Sequence, residues 1–178
     1  VWAHNYDFDK FLDFSDDGSK KKTIAYLDQG IGHNQDEFLA KKSGARISTL
    51  DYPSLNKFFD HVEEATGLEV VIAGHPRMSI EHTQNRFPNR RVTHDKTFET
   101  VTNSAFVLAH WSTSSQIGIM AKKPVVFIYS NSLKSTGHHE HALNLAQQLN
   151  NTPMNIDEEF DKEIFQENLN VSEESYKL

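Results

Sequence analysis

Hydroxyl side chains are concentrated in one short segment, residues 110–115, whose sequence is HWSTSS. The segment follows an apolar run, residues 105–109, and precedes a helix-like run, residues 116–121, so we predict a strand, a loop and a helix. Free backbone N–H groups and the helix dipole favour an anion at such a helix start. Ser and Thr also cap helices that bind nothing, but four consecutive hydroxyls are more than a cap requires. We therefore interpret the loop as a site for the phosphate of a nucleotide, with candidate ligands His110, Ser112, Thr113, Ser114 and Ser115.

A second polar motif consists of Gly74, His75, Pro76 and Arg77. It follows residues 68–73, an almost wholly apolar run that is typical of a strand covered on both faces. Pro76 fixes its own backbone and biases His75 towards an extended geometry. An imidazole and a guanidinium together suit a phosphate, by charge and by forked hydrogen bonding. The alternative is a turn with a surface Arg77 and a capping His75, but the position at a strand end favours ligand binding.

A third polar motif contains Asp28, Gln29, Gly30 and Gly32, directly after a short apolar run at residues 23–27. Its glycines allow a ligand to approach the backbone closely. Asp28 and Gln29 could hold a ligand hydroxyl, or Asp28 could act as a base. A glycine-rich turn with solvated side chains fits the same residues equally well. Neither GxGxxG nor the Walker A pattern occurs in the chain, so dinucleotide-binding and P-loop ATPase functions lose their main support.

The sequence His138-His139-Glu140-His141 suggests a metal site, because His138 and His141 would share a helical face. The HExxH pattern is absent, and no further ligand lies at a recognisable spacing. We therefore predict no metal at these residues, and solvated histidines near a helix start.

Predicted strands alternate with predicted helices along the chain, which indicates an α/β fold: a Rossmann-like parallel sheet with helices on both faces. The carboxyl ends of parallel strands meet at one edge, so the three polar motifs should converge there. The predicted strands are residues 23–27, 68–73, 90–94, 105–109, 125–129 and 154–156. The predicted helices are residues 52–66, 96–103, 116–121 and 138–149, and residues 131–137 are predicted to form a loop. This domain would span residues 23–156, between a lead-in at 1–22 and an acidic, partly helical tail at 157–178.

Composition limits the class of protein. The chain has 178 residues and a net charge of −7, which argues against nonspecific nucleic-acid binding. It has no cysteine, which excludes disulfides and thiolate metal sites and favours the cytoplasm. No apolar run approaches the roughly 20 residues of a membrane span, which leaves only peripheral membrane contact open. The first residues read as the middle of a longer sequence, so we expect a missing upstream part.

The two strand-end motifs resemble those of GT-B glycosyltransferases. The His75-Pro76 pair and the Ser/Thr cluster at residues 112–114 are similar to the HP and Ser-Ser/Thr signatures of bacterial sialyltransferases and related surface-carbohydrate transferases. CDP-glycerol glycerophosphotransferases look similar in the same region. The resemblance covers roughly residues 23–156 and extends to a set of polysaccharide-biosynthesis proteins. It implies one half of a GT-B architecture, the C-terminal donor-binding domain, with an N-terminal acceptor-binding domain as its missing partner.

The resemblance also implies roles for individual residues. His75 would contact the donor phosphate, and Ser112, Thr113 and Ser114 would bind the same phosphate through hydroxyls and amides. In the sialyltransferases an acidic motif supplies the general base, usually from the other domain. Asp28 is the nearest counterpart here, with Asp-Gln-Gly in place of an acidic-acidic-Gly pattern.

The resemblance implies two possible functions, and the residues themselves leave a third open. The first is donor binding in a nucleotide-sugar glycosyltransferase of bacterial surface polysaccharide synthesis, with a CMP-, CDP- or UDP-linked sugar as substrate and no cofactor. Such a chain would turn over little or nothing on its own. The second is a CDP-glycerol-type glycerophosphotransferase domain, and the third is a non-catalytic Rossmann-like domain that binds a partner or a small anion.

Overall fold

The computed structural model describes residues 6–15, 19, 21–32 and 50–170. The predicted lead-in and the acidic tail are therefore described only in part. Within this range Tyr6–Leu12 forms the first helix, α1. Phe11 and Phe14 pack against the apolar core next to Phe98, so the described part of the lead-in is docked on the domain.

Six parallel strands form one sheet in the order β3-β2-β1-β4-β5-β6. The strands are β1 (Thr23–Leu27), β2 (Glu69–Ala73), β3 (Val92–Thr93), β4 (Val107–Ala109), β5 (Val125–Tyr129) and β6 (Met154–Asn155). The chain winds outward from β1 to β3 and then returns to the centre, where β4 lies beside β1. The reversal between β1 and β4 is the topological switch point, where sheets of this kind bind their ligands.

The other described helices, with α1, cover both faces of the sheet. They are α2 (Tyr52–Thr66), α3 (Ile80–Arg86), α4 (Thr97–Thr102), α5 (Ser115–Met120), α6 (Asn131–Thr136), α7 (His139–Gln148) and α8 (Lys162–Leu169). The predicted α/β fold, a Rossmann-like parallel sheet with helices on both faces, is confirmed.

Alternation along each strand produces the two apolar layers. In β1, Ile24 and Tyr26 face the layer formed with α2, where Leu55, Phe58, Phe59 and Val62 are buried. Ala25 and Leu27 face the opposite layer, with Val101 of α4 and Ile117 of α5. Because both faces are covered, the strands read as continuous apolar runs, which made them predictable.

One described helix contradicts a sequence-based prediction, and a second lies where no element was predicted. Residues 131–137 were predicted as a loop, which is wrong, because Asn131–Thr136 is helical. The Ser130 side chain caps this helix by accepting from the Leu133 amide at 3.2 Å, and Gly137 ends it in the left-handed conformation. Ile80–Arg86 is also helical, with Ser79 as its cap, in a polar stretch that has a weak apolar period.

Arg90 attaches β3 to the rest of the molecule. Its guanidinium, 4% exposed, contacts Asp60 at 2.5 Å and Glu63 at 3.1 Å, and it donates to Asn56 Oδ1 at 2.9 Å. These partners all lie on α2, so the turn before β3 is fixed to the helix layer. Among the described helices, none is both long and apolar enough to cross a membrane.

Candidate functional site

A pocket of about 390 Å³ lies at the carboxyl edge of the sheet, over the switch point. Among the described residues it is lined by Leu27, Asp28 and Gln29 after β1, by Ala73, Gly74, His75 and Pro76 after β2, by Trp111, Ser112, Thr113 and Ser114 after β4, and by Thr97. We call it the strand-end pocket. The three polar motifs therefore converge, as expected from their positions directly after strands of a parallel sheet.

Two contacts hold the strand-end loops together. The side-chain Oε1 of Gln29 accepts a hydrogen bond from the Trp111 amide at 2.8 Å, which joins the loops after β1 and β4 across the switch point. Gly30 has a positive φ of 61°, and a Cβ built there would lie 3.4 Å from the Met78 side chain. The loops after β1 and β2 are thus in contact as well, and glycine at position 30 permits both the turn and this approach.

Asp28 is a buried carboxyl group at the pocket wall, only 5% exposed. Its Oδ1 accepts a hydrogen bond from the Gly30 amide at 2.9 Å, whereas its Oδ2 has no hydrogen-bond partner among the described residues. Burial raises the pKa of Asp28, although the Gly30 amide and the nearby Arg86, His75 and His82 oppose this. The second oxygen can accept a hydrogen bond from a ligand or take a proton from it.

His75 stands in a tight turn that sets its tautomer. Its carbonyl oxygen accepts from the Met78 amide at 2.9 Å, and its ring Nδ1 accepts from the Arg77 amide at 3.2 Å. In the neutral imidazole the proton is then on Nε2, which can donate to an anion in the pocket. Pro76 favours this turn by fixing φ at the second position. The turn therefore explains why the proton of the neutral His75 ring lies on Nε2.

The serine-rich loop uses part of its donor capacity internally. The Ser114 amide donates to Ser112 Oγ at 3.2 Å, and the Ser115 and Gln116 amides donate to the carbonyls of Ser112 and Thr113. Helix α5 has only six residues, so its dipole is small. The loop therefore offers a ligand its three hydroxyls and the amides of Ser112 and Thr113, which have no acceptor among the described residues.

His110 has a different position from the one the sequence suggested. Its side chain is fully buried and outside the pocket lining, with Nδ1 2.8 Å from the carbonyl oxygen of Ile128. Since that carbonyl accepts, Nδ1 carries the proton, and burial lowers the pKa of His110 to about 4. The imidazole is neutral near pH 7 and links β4 to β5, away from the residues that line the pocket.

Three other predicted site residues lie beside the pocket instead of lining it. Arg77 is exposed, Ser115 is 4% exposed at the start of α5, and Gly30 is buried under Met78. Conversely, Thr97 and Trp111 line the pocket without having been selected from the sequence. Thr97 begins the helix that follows β3, so the rule of strand-end residues could have found it.

Two histidines of the HHEH segment, His138 and His141, pack against Trp111, whereas His139 lies against Tyr129. The rings of Trp111 and His138 are stacked with centroids 6.0 Å apart, and His141 lies 5.8 Å from the same indole. Within the described residues no group of three or more His, Asp or Glu side chains is arranged to hold a metal ion. The segment therefore packs against Trp111, a residue that lines the strand-end pocket.

The sequence matches no family model, and it matches none of the curated proteins compared with it. The class of site is thus defined by the fold and the pocket: a parallel α/β sheet with a polar pocket at its switch point.

Proposed function

We propose that this chain is the donor-binding domain of a nucleotide-sugar-dependent glycosyltransferase of bacterial surface polysaccharide biosynthesis, acting in the cytoplasm. The observation that carries the proposal is the strand-end pocket, which brings the His75-Pro76 motif and the Ser/Thr cluster to one cavity at the switch point. These are the two motifs on which the resemblance to GT-B glycosyltransferases rests. The proposal includes a second, acceptor-binding domain as the partner of this one.

The donor phosphate would lie between the loops after β2 and β4. His75 would donate from Nε2, and the hydroxyls of Ser112, Thr113 and Ser114 would donate from the opposite side. The amides of Ser112 and Thr113, for which no acceptor is found among the described residues, would add backbone donors. This donor set supports an anionic ligand even though the whole chain carries a net charge of −7.

The same donors would act on the chemical step. In glycosyl transfer the bond from the sugar carbon to the phosphate oxygen breaks, an acceptor hydroxyl forms the new bond, and negative charge develops on the departing phosphate. Donors that are already in place stabilise this charge most when it is largest, which lowers the barrier. Asp28, whose pKa is raised by burial, is the candidate on this chain for a group that accepts a proton or a hydroxyl hydrogen bond.

Calorimetric titration with CMP, CDP and UDP tests the proposal. We expect the parent chain to bind at least one of them, and His75→Ala and Ser112→Ala each to weaken binding by roughly tenfold or more, as expected for a charge-assisted hydrogen bond. Matched controls are His61→Ala and Ser135→Ala, on helices α2 and α6 outside the pocket lining. Binding that is absent in the parent, or equal in all four variants, would refute the proposal.

A further inference from the structure

His94 contacts the loop that carries His75 from the neighbouring strand. It directly follows β3, and its side chain is 24% exposed. Its Nε2 lies 2.7 Å from the carbonyl oxygen of Met78, and its Nδ1 lies 2.9 Å from Oδ2 of Asp95. A carbonyl oxygen can only accept, so Nε2 donates, and an ionised carboxylate likewise accepts from Nδ1. Both contacts together require a doubly protonated, positively charged ring.

Met78 connects His94 to the two loops that follow β1 and β2 and line the strand-end pocket. Its amide donates to the His75 carbonyl at 2.9 Å, which closes the turn around Pro76. Its side chain lies against Gly30. The Gly30 amide in turn donates a hydrogen bond to the Asp28 carboxyl group. A bond at the Met78 carbonyl therefore restrains the turn after β2 and the loop after β1 together.

We propose that His94 is a positioning residue of the pocket, whose bond to Met78 fixes the turn that presents His75 to the ligand phosphate. The inference rests on the proposed nucleotide site, but the restraint of the turn can be measured without any ligand. His94 itself lies outside the pocket lining and acts through Met78.

The contact depends on pH. The bond to the Met78 carbonyl, and then the bond to Asp95, raise the pKa of His94 above its ordinary value of 6.5. The other charged or titratable groups on the surrounding elements are His75 and Arg77 in the turn after β2, Glu81, His82 and Arg86 on α3, Arg91 before β3, and Lys96 and Glu99 at α4. Because the folded state holds the second proton more tightly, both bonds are present together below pH 6.5. As the pH rises through the raised pKa, the ring keeps one N–H, for which the Met78 carbonyl and Asp95 compete, so the bond to Met78 weakens.

Three variants separate this role from general stability. His94→Leu removes both contacts, whereas His94→Gln retains an amide donor near the position of Nε2. His61→Leu, on α2 where the ring stacks on Phe160, is the matched control. We would measure NMR exchange of the Arg77 and Met78 amides without ligand at about pH 6 and pH 8, corrected for intrinsic rates. Titration of the same samples with CDP follows.

We expect roughly fivefold faster exchange at these amides in His94→Leu at about pH 6, with His94→Gln and His61→Leu close to the parent. The difference in amide exchange rate between His94→Leu and the parent should be smaller at about pH 8. Affinity for CDP should fall several-fold in the Leu variant alone.

The possible results distinguish the role of His94 in the turn from the proposed nucleotide-binding function. Unchanged exchange in His94→Leu would overturn the inference, whatever the parent binds. Faster exchange with unchanged CDP affinity would also overturn it, because the turn would then not serve the ligand. Faster exchange in a chain that binds no nucleotide would support the restraint of the turn by His94 and refute the proposed function instead.

Discussion

Asp28 and His110 follow the two strands that flank the switch point, and both are titratable groups shielded from water. Burial disfavours the charged form of each, so it raises the pKa of Asp28 and lowers that of His110. Their contributions to stability therefore change with pH in opposite directions. Each can be isolated with a substitution that keeps the shape and removes the titration.

Asp28→Asn should become more favourable relative to the parent as the pH rises. The folded pKa of Asp28 lies above its ordinary value of 3.8, so the folded parent binds the proton more tightly, and its stability falls as the pH rises through this interval. Asn keeps an oxygen for the Gly30 amide and does not titrate. Thermal unfolding of both proteins from about pH 3 to pH 8 measures this. A difference in Tm that is constant with pH would contradict the burial of this carboxyl group.

His110→Asn should remove a loss of stability at acid pH. Between pH 6.5 and about 4 the unfolded parent takes up a proton on His110 that the folded state excludes, which costs about 3 kcal/mol in all. Asn retains a donor for the Ile128 carbonyl but leaves space, so the variant is less stable near pH 7. In chemical denaturation across this interval, the free energy of unfolding of His110→Asn should depend less steeply on pH than that of the parent or of the control His61→Asn. Equal slopes would place His110 in contact with solvent.

At the scale of elements, the close packing of α5 on the sheet fixes the serine-rich loop. A Cβ at Gly118 would lie 3.0 Å from Cγ2 of Val107 in β4 and 3.1 Å from Cγ2 of Val125 in β5. Glycine at position 118 lets the helix lie this close without displacing either valine. The loop at residues 112–114 immediately precedes the helix, so its position depends on this contact.

Gly118→Ala should reduce the free energy of unfolding by roughly 1–3 kcal/mol, the usual cost of overpacking, less the better helix propensity of Ala. The shifted helix should also weaken nucleotide binding. In a Val107→Ala background the contact with the Val107 methyl group is removed and only the one with Val125 remains, so the same change should cost less. Denaturant unfolding of the four proteins in this double-mutant cycle is the measurement. An equal cost in both backgrounds would show that the two residues do not interact.

The elements that could be predicted are those whose apolar pattern is set by burial. Helix α2 begins and ends where its apolar spacing, Pro53 and Gly67 place it, and β1 and β5 lie where the apolar runs do. Helix α6 was not predicted because only Leu133 among its residues is buried, so its sequence has no helical period of apolar residues. Its caps at Ser130 and Gly137 were the available signal.

At the scale of the whole molecule, strand order determined most of the site. The sequence places polar residues after β1, β2 and β4, and a parallel sheet brings these ends to one edge, as the pocket lining shows. The contacts across the sheet could not be read from local patterns, because Gln29 and Trp111 are 82 positions apart. For the same reason the burial of His110 against Ile128 was not visible in the sequence.

In the proposed function the three strand-end loops form one nucleotide site. Titrating CDP, CMP and UDP into the ¹⁵N-labelled chain and following backbone amide shifts by NMR tests it most directly. We predict that at least one nucleotide shifts amides in all three segments, 28–30, 74–77 and 111–114, with a common affinity, and that His75→Ala weakens all three together. Shifts confined to a different surface, such as the groove between His61 and Glu159, or no shifts with any of the three, would show that the strand-end loops do not form a nucleotide site.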